Sequence, residues 1–453
     1  MGLSKVGAIQ NYLRGDVILK KKLFVLLGLM MVVLLFVGCG GQQEETVPSN
    51  GEVDATGDGQ VLTVMVESGS PGEMAARATA AEFEELTGVE VVIDAVPYIG
   101  LYDSITTQLR AGNATHDVVT LDVLWLPAFR HGLLPLDDLA TQEMKDDFLP
   151  TMLDGGTLDG TLYGMPMWIN CKVLIYRADL FADSDNQAAF MEQFGYELAP
   201  PTTWQEYFDV AEFFTTGDMY GTAVYGANSG DTVCTWLDHA AQAGAYPLVL
   251  GPNDEVLIDQ QPYVDGLQFM IDQLDRGIVP PGALAMASTE VQEMFLGGMI
   301  AMQLNWSHQF PAAHTAMPDQ VGVTTMIGGE AGVAAVTGPW FMSIMEGSPN
   351  VDIAREYLLF MFERNEAYME AALRIAGRQS VYMAHGELPG NEHLNAVLET
   401  LAAPMSQNRP ATPHWTEMET VMAGAIQEAM AGNMSAQEAL TAARIEIEQI
   451  LDR

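Results

Sequence analysis

Trp168 and Asn170 stand two residues apart in the stretch Gly160 to Phe181, GTLYGMPMWINCKVLIYRADLF. The indole offers an apolar face, and the side-chain amide offers both a donor and an acceptor. Such a pair suits a small polar ligand held between two globular units. Turn chemistry at Gly160, Gly164 and Pro166 opens the stretch, and the apolar run Val173 to Tyr176 closes it as a buried strand. The segment would then leave one unit and enter the next. The same two residues would equally serve as a core anchor and a turn residue, because aromatics dominate interiors as well as pockets.

Further candidates follow from the elements that must carry them. Val61 to Val66, Val89 to Val96 and Asp117 to Leu121 read as strands, interleaved with helices over Glu73 to Thr87, Tyr102 to Ala111 and Leu124 to His131. That alternation predicts an α/β unit with a largely parallel sheet. Open sheets of this kind bind ligands beyond the carboxyl ends of their strands. Ser68, Ser70, Tyr98 and Asp122 all lie just past strand ends. Asp122 could accept hydrogen bonds from hydroxyls and Tyr98 could stack; taken singly, each reads first as a loop or capping residue.

Later in the chain, Trp204, Tyr207, Phe208 and Ala211 share one face of a helix over Thr203 to Phe214, which assigns Trp204 to the core. Gly221 to Tyr225 reads as a short strand. A polar loop then brings Asn228 and Asp231 to the start of a helix over Thr232 to Gly244, which carries Trp236. Asn228 and Asp231 are plausible ligand contacts there and equally good capping residues. Tyr263 to Asp275 and Thr289 to Leu296 read as helices, and a strand over Met299 to Asn305 delivers Asn305 and Trp306. Ala331 to Ile344 is extended and contains Trp340. The remainder is helical: Asp352 to Arg364, Glu366 to Ile375, Asn391 to Ala402, Thr416 to Ala431 and Ser435 to Leu451, the last opened by a capping box at Ser435 and Glu438.

Catalytic signatures are missing. The sequence holds no Gly-x-Ser-x-Gly elbow, no His-Glu-x-x-His and no lysine after Lys172 that could serve a phosphate loop. Its eight histidines are scattered without metal spacing. Carboxylates are so abundant that some pair would always resemble a glycosidase dyad, which empties that signal of information. No metal or cofactor is expected. Cys171 and Cys234 could pair in an exported protein or simply pack as small apolar residues. The methionines are dispersed, as core filler is.

The formal charge is −41 over 453 residues, which excludes nucleic acid and an anionic membrane surface as partners. The N-terminus is an exception. Three lysines at 20 to 22 precede an unbroken apolar run, Leu23 to Val37, and Gly38-Cys39-Gly40-Gly41 follows. This is the order of a signal peptide, in a run too short to span a bilayer comfortably. The 19 residues ahead of the lysines are long for an n-region, which leaves the translation start open. Leu35 to Cys39 resembles a bacterial lipobox, with Phe36 where leucine is usual. Cys39 is thus the expected lipidation site, at the head of a polar tether with almost no apolar residue. Beyond residue 38 only Lys145 and Lys172 remain as lysines.

In sequence order, Phe83-Glu-Glu-Leu-Thr-Gly-Val89, Asp117-Val-Val-Thr-Leu-Asp122, Gly132-Leu-Leu-Pro-Leu-Asp137, Leu162-Tyr-Gly-Met-Pro166 with Ile175-Tyr-Arg-Ala-Asp179, and Pro201-Thr-Thr-Trp204 form a consistent series. Phe295, Gly298, Ala301, Met302 and Trp306 continue it, as do Arg409-Pro410 and Ala436 to Leu440. Together they resemble the extracellular solute-binding proteins of family 1, the sugar-binding subunits of bacterial ABC importers. Each match is weak alone; their order behind a lipobox makes them strong.

The resemblance implies a type II periplasmic-binding-protein-like α/β fold, two lobes joined by a hinge, with the ligand in the cleft between them. It divides the chain into a lipoprotein signal peptide (1–38), a tether (39–60), one lobe (61–167 and 329–364) and a second lobe (168–328 and 365–453). It also implies stacking of a sugar by Trp306, a turn at Gly338-Pro339-Trp340 facing the cleft, and a ligand-reaching residue near Arg378, which a surface charge would explain equally well. The implied partners are a sugar, the transmembrane subunits of a permease, and the membrane through the lipid anchor alone, for a monomer outside the cytoplasm. Two other readings stay open: a secreted glycan-cleaving lipoprotein, and the same binder for a peptide or polyamine.

Overall fold

Apolar residues alternate along β1 (Val61–Glu67): Leu62, Val64 and Val66 enter one core, while Met65 enters another on the opposite face. The computed structural model describes residues 60–452 apart from Asp218 and Leu373. The expected signal peptide, the tether except Gln60, and Cys39 lie outside the described residues. Helix α1 (Pro71–Thr87) follows β1, capped by the Ser70 hydroxyl accepting from the Glu73 amide and closed by Gly88 at φ 74°. Then come β2 (Glu90–Val96), α2 (Tyr98–Ala111) and β3 (Val118–Asp122).

With β4 (Met165–Trp168) and the late strand β8 (Trp340–Ile344), these strands form a five-stranded sheet in the order β2-β1-β3-β8-β4. The first three are parallel, and β8 is antiparallel to both of its neighbours. Helix α1 packs with α7 (Val351–Glu363) over one face, where Phe83 meets Tyr357 and Phe360 edge to face at 5.2 Å.

A second sheet is smaller and wholly antiparallel. β5 (Lys172–Arg177) lies between β6 (Met302–Trp306) and β7 (Val321–Thr324). Around it pack α3 (Trp204–Phe214), α4 (Gly230–Gln242), α5 (Gln261–Asp275), α6 (Ser288–Leu296), α8 (Glu392–Ala402), α9 (Trp415–Met430) and α10 (Ala436–Leu451). The chain passes between the sheets at Ile169–Cys171, again at 334–339, and a third time between α7 and α8.

Several expectations need correction. Gly221 to Tyr225 is not a strand: its backbone bonds to Ile278 and Met302 singly, without a ladder. The helix expected over Glu366 to Ile375 ends at Met369. A helix over Ser184–Phe194, capped by Asp183, had no counterpart in the sequence reading. Of the two arrangements left open for Cys171 and Cys234, buried free thiols are the one found. Trp204 packs against the core as expected, though only half-buried, stacked on Phe269 at 4.5 Å with its N–H donated to Gln242.

Candidate ligand-binding cleft

Strand register builds one rim. Trp340, at the start of β8, stands opposite Asp122 at the end of β3 and opposite Trp168 at the end of β4. Three side chains from adjacent strands thus meet at one edge of the sheet. Trp168 and Trp340 stack, with centroids 5.2 Å apart and planes 12° from parallel. Tyr98 and Trp125 complete the cluster, 4.5 Å from each other and 6.0 and 5.7 Å from Trp340. Trp168 is buried beneath α1: a Cβ on Gly72 would lie 2.7 Å from its ring, so only glycine fits there. Trp340 stays partly exposed toward a cleft of about 700 Å³.

Trp306, at the end of β6, forms the opposite rim. Its indole N–H donates to Asp231 Oδ1 at 2.9 Å, and Ser288 donates to the other oxygen of that carboxylate at 2.7 Å. The Lys172 ammonium sits 4.3 Å from the Trp306 ring centroid. Lys172 is itself fully buried, bonded to Asp238 at 3.0 Å; Asp238 also accepts the Val336 amide at 2.6 Å. Burial raises the Asp238 carboxyl, opposed by the neighbouring Lys172.

Asn170 lies at the first crossing, with its Oδ1 accepting from Ser307 at 2.6 Å and its amide 2.6 Å from His308 Nδ1. Burial pushes His308 down to about 4, so its imidazole is neutral and accepts the amide proton. Each end of the Asn170 side chain keeps capacity for one more partner. Asp122 accepts from Tyr98 at 2.9 Å and faces Arg409 at 3.5 Å. Glu67, at the end of β1, is pushed up to about 7 by burial and by the charge of Asp122.

Ser68, Tyr98, Asp122, Trp168, Asn170, Asp231, Trp306 and Trp340 therefore come together around one cleft. Four expected contacts lie elsewhere. Trp236 is fully buried, its N–H donated to the Tyr263 carbonyl at 2.9 Å; five residues along a helix from Asp231, it points away from the cleft. Asn305 precedes Trp306 on a strand and so faces the other way, accepting from Tyr225 at 2.5 Å and donating to the Ser288 carbonyl at 3.1 Å. Arg378 is engaged with Asp147 at 2.6 Å and lies over the Phe362 ring. Asn228 is exposed on the loop before α4 and does not line the cleft. Glu67, His308, Arg409 and Glu419 line it without having been expected to.

The lining offers ring faces, an amide and carboxylates, with His308 bonded to Asn170, Asp231 to Trp306 and Ser288, and the Ser70 hydroxyl capping α1. Two α/β lobes around such a cleft define a binding protein of the type II periplasmic fold. The chain belongs to the bacterial extracellular solute-binding protein family, whose sequence model matches residues 68–366. It is 25% identical over 265 residues to a probable ABC transporter-binding protein of Deinococcus radiodurans, covering 56% of this chain and 60% of that one. Among solved structures, maltose-bound MalE3 of T. maritima superposes with a TM-score of 0.73 at 22% identity, over 86% of this chain and 99% of that one. A solute-binding protein of Agrobacterium radiobacter K84 in complex with ribitol gives 0.71 at 23% identity, over 87% and 99%. Family membership makes this an extracytoplasmic protein that binds a small-molecule solute.

Proposed function

We propose that the protein is the substrate-binding subunit of an ABC importer, held at the membrane by a lipid on Cys39, and that it takes a neutral sugar or oligosaccharide and hands it unchanged to the permease. One observation carries this reading. Each sheet contributes a partly exposed indole, Trp340 and Trp306, to the same cleft, with Asp122, Asn170 and Asp231 around them. Pyranose C–H faces match indole faces, and hydroxyls match carboxylates and amides. The maltose and ribitol held by structures of the same fold support a polyol ligand. The lobes are taken as 61–167 with 329–364 and 168–328 with 365–453, closing about the three crossings by hinge motion.

A cationic solute such as a polyamine is the second reading, favoured by the four carboxylates Glu67, Asp122, Asp231 and Glu419 that line the cleft with Arg409. A thermal-shift and calorimetric panel of mono- and oligosaccharides, sugar alcohols and polyamines separates the two. Saturable stabilisation by a saccharide or polyol, with no new reducing ends after incubation, is the expected result. Stabilisation by polyamines alone, or cleavage of an oligosaccharide, would overturn it.

A further inference from the structure

Arg409 has no part in the indole-and-amide scheme, yet its side chain lines the cleft while only 7% exposed. Its Nε–H is buried and has no acceptor among the described residues. Buried donors are nearly always satisfied, so an unsatisfied one at a cleft wall is a donor held for something else. The terminal nitrogens are loosely engaged as well. One lies 3.5 Å from Asp122 and the other 4.0 Å from Glu419, both beyond the 2.7–2.9 Å usual for charge-assisted bonds. Within hydrogen-bond range it reaches Cys234 Sγ at 3.4 Å, a weak acceptor.

The backbone around Arg409 is fixed where the chain passes between the sheets. Gln407 donates its amide to Ala335 O at 3.3 Å and accepts from the Thr337 amide at 3.2 Å, while the Asn408 side chain donates to the Thr151 carbonyl at 2.7 Å. Asp122, by contrast, rides at the tip of β3.

Building on the proposed sugar-binding function, we propose that Arg409 is a specificity-determining residue of the cleft: its Nε–H donates to a hydroxyl or ring oxygen of the neutral solute, and the bound solute draws Asp122 and the guanidinium into a direct bond. The carboxylates of Asp122 and Glu419 already flank the guanidinium, so the oxygen it takes is a neutral one.

The test uses the whole chain with maltose and ribitol as probes. Calorimetry on the parent, Arg409→Lys and Arg409→Gln is combined with ligand-free melting of each. Lysine keeps the charge but loses the Nε donor and the planar fork. The expected result is an affinity about tenfold weaker or worse in Arg409→Lys with a ligand-free melting temperature near that of the parent. A double-mutant cycle of Arg409→Gln with Asp122→Asn should show coupling in affinity and little in ligand-free melting. Parent-like binding by Arg409→Lys, or coupling of equal size with and without sugar, overturns the inference while leaving the sugar-binding function intact. Binding by the parent of neither probe nor any other saccharide or polyol of the panel overturns both.

Discussion

On the rim of the five-stranded sheet, Trp340 is held ring to ring by Trp168, with Tyr98 and Trp125 closing the cluster. Across the cleft, Trp306 is held by charge: a carboxylate accepts its N–H and an ammonium lies against its face. The first arrangement depends on shape, since dispersion and burial fall off within fractions of an ångström. The second depends on a buried ion pair whose members are tolerable only together. The two rims would therefore fail differently, the aromatic one to crowding and the charged one to loss of a partner.

Lys172→Met is the severest challenge to the charged rim. It leaves Asp238 buried with the Val336 amide but no cation, and should cost about 3–5 kcal/mol in urea unfolding. A loss under about 1 kcal/mol would mean the pair does not support Trp306, and the contrast between the rims would collapse. The aromatic rim is challenged by Gly72→Ala, whose new methyl must displace the Trp168 ring. Overpacking of about 1–3 kcal/mol is expected, together with a changed near-ultraviolet tryptophan signal; an unchanged spectrum would show slack in the cluster. Trp306→Ala sharpens the comparison from the ligand side: sugar affinity should fall by about 1–3 kcal/mol by calorimetry, with melting close to the parent. Equal affinity would remove Trp306 from the site.

The smallest effect concerns Glu67 beside Asp122. Its raised pKa means the folded state prefers the protonated acid, so its contribution to stability is complete below about 4.5 and is lost as pH rises through about 7. Discounted for solvent screening, the loss is about 1 kcal/mol. Glu67→Gln should melt with a flatter pH dependence across that window, and identical profiles would refute the assignment.

Much of the first sheet was legible because Leu62, Val64 and Val66 alternate with residues of the opposite face, and period two is a local signal. The placement of Asp122 and Tyr98 followed from the rule that strand ends carry ligands. Asn305 was misplaced because delivery by a strand was considered without its pleat, which sends neighbours to opposite faces. Trp236 was misplaced because α4 is buried from Thr232 to Gln242 on every side, leaving no polar stripe to orient it. Arg409 and Glu419 were illegible as cleft residues for another reason. They reach Asp122 only through tertiary folding, across nearly 300 positions of chain, and no local spacing encodes that meeting.

Between Trp340 and Phe341 the pairing of β8 with β4 skips a step: Trp340 faces Trp168, but Phe341 faces Pro166, so Met167 is the extra residue of a bulge. The spacing of the two tryptophans is consequently written in residue count rather than in side-chain identity. Point substitutions can blunt or enlarge either ring, but they leave the two positions opposed. Retuning the wall to a longer or shorter solute calls for a deletion or insertion at Met167, which would carry one ring past the other like a tooth on a ratchet.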